Sequence, residues 1–311
     1  LRLIRNGFRP DIVWVSSPPL FVGLLGPALR RAGRSLLRNR RPRFVLDIRD
    51  IWPDTAVAAG QISREGRAYR LGRFLESWLY RRCDALSCVA RPMAEYLRRA
   101  SGKEVAVVYN GVSAASVPEG RKSPPPSEEI LYAGNWGRLQ GLDTLLIAWS
   151  RICDTPFYAQ WRVRLLGSGV MEAELRTLIE QLGIGSRVTL EPPVEKSAAL
   201  SMMERSGLLF LNLRPDEVFT YTIPSKLFDY LRAGRPIVGG IPGEGSEILA
   251  GSGGNITFSP SDADALEGAL RRAGEEYPHL LEAAVGNREI LRERFTREEA
   301  TARLLELFSS P

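Results

Sequence analysis

Histidine is nearly absent from this chain of 311 residues, which has only His279. Cysteine is scarce too: Cys83, Cys88 and Cys153 stand in no Cys-x-x-Cys spacing. Transition-metal sites need clustered His and Cys ligands, so no metal is expected. A mechanism built on a histidine base is excluded as well, unless His279, in the helical-looking EEYPHLLEAA, serves. An odd set of unspaced thiols reads as buried and reduced, as in a cytoplasm, and not as a disulfide framework. No apolar run reaches the ~18 residues of a membrane-crossing helix. Nothing at the start reads as an export signal. The expectation is a cytoplasmic protein with no cofactor.

Acidic residues are missing where arginines crowd. Arg30, Arg31, Arg34, Arg38, Arg40, Arg41 and Arg43 fall within fourteen positions, with no Asp or Glu among them, in a chain of net charge +6. The same region, LFVGLLGPALRRAGRSLLRNR, sets Leu25, Leu29, Leu36 and Leu37 at helical spacing. A basic amphipathic helix of this kind fits an anionic membrane surface. A solvated helix end, with arginines near its C-terminus for dipole reasons, is the alternative. No zinc-finger, basic-zipper or RNP signature occurs, so nucleic acid is not an expected partner.

What is present is an alternation of strands and helices. DIVWVS, 11–16, is an apolar run of the kind that forms a buried parallel strand. The basic helix follows, then a strand at Phe44–Ile48, a helix over 65–82, a short strand at Ala85–Val89, a helix with Pro92 in its first turn, and a strand over 105–111. VSAASVPEGRKSPPPSEE is rich in Pro and Ser and reads as a linker. A second α/β series begins after it, and the tail from 262 reads as helices. Strict alternation predicts doubly wound parallel sheets, with ligands at the carboxyl ends of the strands. The expected division is a partial first domain over 1–112, a linker at 113–128, a second domain over 129–286 and a final helical segment over 287–311. The first domain holds about four strands, fewer than a complete doubly wound domain. This reads as a chain lacking its opening two βα units, or as a small self-sufficient domain.

The most informative stretch is IPSKLFDYLRAGRP, 223–236. Pro224 fits a first helical turn, and Gly234 ends the helix. The helix start sits at the end of strand LLFLNL, where its N–H groups and Lys226 attract an anion. Ser225 adds a hydroxyl. Asp229, one turn on, suits a ribose diol. The plain alternative is a capped helix with Lys226 in solvent. Two more strand-end loops supply glycines, amides and a cation: YAGNWGRLQG (Gly134, Asn135, Arg138, Gln140) and GSG (Gly167, Gly169). Together they make a nucleotide diphosphate plausible. GEGSE, 243–247, follows the next strand and sets Glu244 or Glu247 against a donor sugar.

These motifs, with YNG before the linker, LLGSGVMEAELR, SPPLFVGL and RDIWPD, resemble glycosyltransferase family 4, in particular the WbuB-like transferases of bacterial surface-polysaccharide assembly. The resemblance runs from about residue 9 to 310. It implies a GT-B fold, two Rossmann-like domains facing a cleft, the first incomplete here, with the final helix crossing back to the first domain. It implies a retaining, metal-independent transfer of a sugar, an N-acetylated hexosamine type, from a UDP-sugar. The implied acceptor is a polyprenyl-diphosphate-linked glycan at the inner membrane face, in O-antigen, capsule or exopolysaccharide synthesis. Carried onto this sequence, it assigns Lys226, Arg138 and Ser225 to the diphosphate and Asp229 to ribose. Glu244, Gly245 and Glu247 go to the donor sugar, and Tyr221, Thr222 and Leu227 fall within the donor-binding corner. On the acceptor side it points to Arg49, Asp50 and Trp52. Asp50 is the base candidate, with a loop hydrogen bond as its alternative role; Trp52 stacks on sugar or fills the core. The family pattern is not fully kept. The first of its two spaced glutamates falls on Tyr221, and the second on Asp229. The cations of its phosphate loop fall on Asn135 and Gln140. A non-catalytic binding protein and a UDP-GlcNAc 2-epimerase-like enzyme are the competing readings.

Overall fold

The computed structural model describes residues 10–36, 41–120 and 124–309. The opening LRLIRNGF, whose sequence reads as a helix, lies outside them, as do Leu37, Arg38 and Arg40 of the basic stretch. Of Arg34 only the backbone is described. The chain forms two compact units. The first takes the residues up to 109, together with 217–223 and the tail from 298; the second takes 110–216 and 224–297.

The first unit is built on four parallel strands, β1 (Ile12–Ser17), β2 (Arg43–Ile48), β3 (Ala85–Cys88) and β4 (Val105–Val107), which pair in chain order. Helices α1 (Leu25–Leu36), α2 (Asp54–Ala58), α3 (Arg67–Arg82) and α4 (Arg91–Ser101) connect them. β2 and β3 are buried on both faces, as strands of a covered parallel sheet are. Leu79 and Tyr80 of α3 and Met93, Ala94 and Leu97 of α4 are buried. β4 is shorter than its apolar run 105–111. Its partner β3 stops at Cys88, whose carbonyl takes the last ladder bond, from Val108 N–H at 2.7 Å.

The second unit holds six parallel strands: β5 (Glu129–Asn135), β6 (Arg162–Ser168), β7 (Val188–Glu191), β8 (Leu208–Asn212), β9 (Ile237–Gly240) and β10 (Ile256–Thr257). Their spatial order is β10-β9-β8-β5-β6-β7. Chain order runs outward in both directions from β5, so the sheet reverses between β5 and β8. Helices α5 (Leu142–Ile152), α6 (Glu172–Gln181), α7 (Lys196–Arg205), α8 (Lys226–Ala233), α9 (Glu244–Gly251), α10 (Ala263–Glu275), α11 (Tyr277–Ala283) and α12 (Gly286–Arg294) follow. Tyr132, Leu145, Trp149, Val163, Leu165, Phe210 and Leu270 are among the side chains of one continuous core. The last helix, α13 (Arg297–Ser309), joins the first unit from residue 298 on, where Phe308 meets Trp14 of β1 edge-on, 6.5 Å between ring centres.

The alternation read from the sequence is the alternation observed, and both sheets are parallel throughout. Three features were not read: the short helix α2 after RDIWP, the two-residue strand β10, and α9, where GEGSE is the first turn of a helix and not a loop. All three cysteines are buried and free. Among the described residues no helix is long and apolar enough to cross a membrane.

Candidate active site

The carboxyl ends of β5, β6 and β8 meet beside the reversal of strand order, where ligands of open α/β sheets lodge. Two glycines make this floor. Gly134 and Gly167 are paired across β5 and β6, with φ of 142° and 148°. A side chain at 167 would place its Cβ 1.9 Å from the Gly134 carbonyl oxygen. One at 134 would meet the Lys226 side chain at 2.1 Å. Backbone and lysine come this close only because both positions lack a Cβ.

Helix α8 delivers that lysine. Its buried positions Leu227, Phe228, Tyr230 and Leu231 face the core, while Asp229 and Arg232 fall on the other side. Gly234, left-handed at φ 65°, ends it. The Tyr230 hydroxyl reaches β5 and accepts the Ala133 N–H at 2.9 Å, which fixes helix to strand. The Lys226 ammonium donates to the Tyr132 hydroxyl and lies 4.3 Å from the centre of that ring. Tyr132 in turn donates to the Asn135 carbonyl at 2.7 Å. Burial lowers the lysine pKa to about 8. Lys226 is therefore not a free surface lysine; it is a half-buried cation drawn under the glycine floor. Ser225 is exposed at the helix start, with no capping bond from its hydroxyl. Leu227 is fully buried and its N–H bonds the Pro224 carbonyl at 3.0 Å, so neither its side chain nor its N–H faces a ligand.

Beside the glycines is a cavity of about 400 Å³. Ala133, Gly134 and Asn135, Leu166, Gly167 and Ser168, Pro193 and Val194 after β7, and Ala199 and Met203 of α7 line it. Pro193, Val194 and Met203 were not singled out in the sequence. The Pro-Pro-Val turn at a strand end was their only local signal.

The remaining donor-side candidates divide. Gly245 packs against the corner, where an added Cβ would lie 3.6 Å from Pro224 Cδ. This brings the start of α9 alongside the start of α8. Glu244 is buried there and Glu247 exposed. Asp229 pairs with Lys196 of α7 at 3.5 Å. Arg138 is exposed and leans toward Glu174 of α6, at 3.6 Å. The amides of Asn135 and Gln140 both turn in under Gly137, and Gln140 Oε1 is buried without a hydrogen-bond partner. Gly169 carries the close passage of the 168–170 turn over the Trp136 backbone. Tyr221 and Thr222 belong to the first unit, where the Tyr221 ring lies 5.3 Å from Tyr96 and the Thr222 N–H bonds the Phe219 carbonyl.

In the first unit, RDIWPD follows β2. Asp47 is buried and accepts from Ser16, Ser87 and Arg49 Nε at 3.1, 2.7 and 2.7 Å. Arg49 is thus tied back to the strand. Asp50 is a half-buried carboxylate bonded by the Thr55 hydroxyl, and burial raises its pKa against that bond and the Ile51 N–H. The Trp52 ring packs on Gly72 of α3 and edge-on to Phe21 at 5.8 Å, a packing role. Near these residues is a polar cavity of about 190 Å³ lined by Asp54, Arg64, Tyr69, Arg73, Tyr96, Glu217 and Tyr221, among others. Asp54 accepts from the Tyr69 hydroxyl at 2.9 Å and pairs with Arg73 at 3.5 Å. Of this group sequence reading singled out only Tyr221, since its members come from four separate helical segments and a loop. Among the described residues no group of three or more His, Cys, Asp or Glu is placed to hold a metal ion.

With the fold and these loops in view, the chain divides between two family patterns. Residues 1–111 match the glycosyl transferase 4-like domain, and 127–275 match the glycosyl transferases group 1. WbjE of Pseudomonas aeruginosa is 24% identical over 283 residues, 86% of this chain and 66% of its own length. WcaI of Escherichia coli K12 is 24% identical over 250 residues, 75% of this chain and 58% of its own. Their provisional names are a glycosyltransferase and a colanic acid biosynthesis glycosyl transferase. The chain thus spans about two thirds or less of these curated relatives. In fold it is similar to HepE of Anabaena, solved in complex with UDP-glucose, with a TM-score of 0.73 at 15% identity over 100% of this chain and 81% of that one. Both matched domains are glycosyltransferase domains, and the chain has the GT-B fold.

Proposed function

We propose that this chain is the donor- and acceptor-binding part of a retaining, metal-independent glycosyltransferase of bacterial surface-polysaccharide synthesis. The donor is a UDP-sugar of N-acetylhexosamine type and the acceptor a polyprenyl-diphosphate-linked glycan, met at the inner membrane face. The observation that carries the reading is Lys226, a half-buried cation held beneath two paired glycines at the strand reversal. A diphosphate resting on the Gly134–Gly167 floor would meet the ammonium and the start of α8 together, a preorganised arrangement for a leaving anion. The cavity beside it, lined by Leu166, Pro193, Val194 and Met203 among others, suits a pyrimidine. Asp229 takes the ribose once Lys196, an exposed and weakly held partner, yields it. Glu244 or Glu247 takes the donor sugar.

In the transfer, the bond from the anomeric carbon to the donor phosphate oxygen breaks. A bond from that carbon to the acceptor hydroxyl oxygen forms on the same face. The hydroxyl proton ends on the leaving diphosphate, and we assign Asp50 to assist its removal. The polar cavity lined by Tyr69, Tyr96 and Tyr221 is the acceptor-side subsite. HepE with UDP-glucose, and the colanic acid role named for WcaI, support the substrate class.

The test is a thermal-shift titration of the chain with UDP, UDP-GlcNAc, GDP and ADP. A ligand at a hundred times its Kd adds about 2.7 kcal/mol of stability. We expect a shift with the uridine nucleotides above the others, and at least tenfold weaker UDP binding in Lys226→Ala. Equal affinity in the variant would remove Lys226 from the diphosphate site.

A further inference from the structure

Helix α3 turns one face inward and leaves a second apolar face outside. Gly72, Glu76, Leu79 and Tyr80 are buried. Leu71 and Phe74, however, are 63% and 64% exposed, and Leu75 and Trp78 half-exposed. Positions 67, 71, 74, 75, 78 and 82 recur at helical spacing and form one stripe. The turn at Leu20–Leu24 packs beside this helix: an added Cβ at Gly23 would lie 2.7 Å from Leu79, and Phe21 touches Trp52, which rests on Gly72. Phe21, Leu24 and Leu25 therefore extend the same apolar surface, at 56%, 40% and 54% exposure.

The outward charge of α3 itself has one sign. Arg67, Arg70, Arg81 and Arg82 of α3 are all exposed, and Arg82 stacks on Trp78, 5.4 Å above its ring. The helix has one acid, Glu76, and it is turned inward to Tyr80 and Arg73. Meanwhile Arg30, the first residue of the basic stretch, is not available to a membrane. It is largely buried, pairs with Asp84 and bonds the carbonyls of Pro42 and Arg82. Large exposed apolar patches mark interaction sites. An apolar stripe of Leu, Phe and Trp bordered by arginines is the composition of a helix lying in a lipid interface.

We propose that the outer face of α3, with Phe21, Leu24 and Leu25, docks the protein on an anionic phospholipid bilayer. The apolar side chains enter the boundary between headgroups and acyl chains, and Arg67, Arg70, Arg81 and Arg82 meet lipid phosphates. The inference adds a surface outside the 30–43 segment and does not depend on the transfer reaction.

The experiment is co-sedimentation of the full chain with vesicles of phosphatidylcholine alone, or of equal parts phosphatidylcholine and phosphatidylglycerol. Two variants accompany it: Leu71→Ser/Phe74→Ser, and Arg67→Gln/Arg70→Gln/Arg81→Gln/Arg82→Gln. All six positions are exposed, and the thermal midpoint checks that each variant folds. The wild type should bind the anionic vesicles at least about tenfold more tightly than the neutral ones, and less so as salt is raised. Each variant should lose about tenfold, with its UDP thermal shift unchanged. Wild-type binding that fails to prefer anionic vesicles, or variants that sediment like the wild type, would overturn the proposal. So would a dimer seen by light scattering that Leu71→Ser/Phe74→Ser dissolves, because the face would then be occupied by a second copy. A lost UDP shift with intact vesicle docking would count against the donor site and leave this surface standing.

Discussion

Lys226 makes one ammonium serve two opposed demands. Burial over Tyr132 lowers its pKa to about 8, from an ordinary 10.5. Between those values the unfolded chain holds more protons than the folded one, so stability rises with pH through that window. The lysine's cost to folding is thus fully present below about pH 8 and is relieved above it. A bound diphosphate reverses the balance, because it favours the charged form. UDP binding near pH 9 should therefore take up a proton, and affinity should fall as pH rises past 8. Calorimetry in two buffers of different ionisation enthalpy reads the uptake directly; the same uptake in Lys226→Met would assign it elsewhere. Gly134 allows a second check at this scale. Its φ is 142° and its missing Cβ makes room for the lysine stem. Gly134→Ala should cost about 1–3 kcal/mol from backbone strain and weaken UDP binding further by displacing Lys226. Urea unfolding with a UDP titration separates the two.

At the scale of the element, α8 is the part that was most legible. Its start after a strand, the Pro-Ser-Lys opening and the Gly234 stop are local features, and the helix runs where they place it. The clamps that aim it were not legible. Tyr230 reaches β5 across 97 positions of sequence. Buried Arg288 of α12 donates to the carbonyls of Arg232 and Ala233 at the helix end, at 3.1 and 2.8 Å. Removing the first clamp with Tyr230→Phe leaves the Ala133 N–H buried and unpaired, which should cost about 1–3 kcal/mol. The variant should also bind UDP less tightly at a temperature where it is fully folded, because α8 is no longer pinned to the glycine floor. Denaturant unfolding together with UDP affinity tests this; lost stability at wild-type affinity would make Tyr230 a structural residue only. Helix α9 shows the opposite failure. Two glycines in GEGSE argue for a loop, yet Gly245 is needed where the helix passes Ile241 and Pro224, and the apolar Ile248 and Leu249 bury the following turn.

At the scale of the whole molecule, the chain carries two cores on two parallel sheets, and nucleotide binding is a property we place in one of them. Hydrogen exchange with and without UDP should therefore be local. Protection should rise in 132–137, 165–169 and 224–230, while the amides of 43–48 in β2 stay as they were. Protection confined to 43–48 and its neighbours would move the nucleotide to the first unit.

The alternation of strands and helices, the parallel sheets, the three glycine- and amide-rich strand ends and the helix opened by Pro224, Ser225 and Lys226 are all legible along the chain. These depend on apolar periodicity, turn chemistry and the dihedral freedom of glycine, all of which act over a few residues. Which of the candidates meet was left to the three-dimensional fold. It folded Lys226 onto Tyr132, 94 positions away, and turned Arg138 toward Glu174. It sent Tyr221 to Tyr96 in the first unit, and raised an apolar face on α3 that looks, in sequence, like any buried helix. The reason is the same in each case. A side chain's partner is set by strand order and by which face of an element is covered, and neither is encoded within the short window from which a sequence is read.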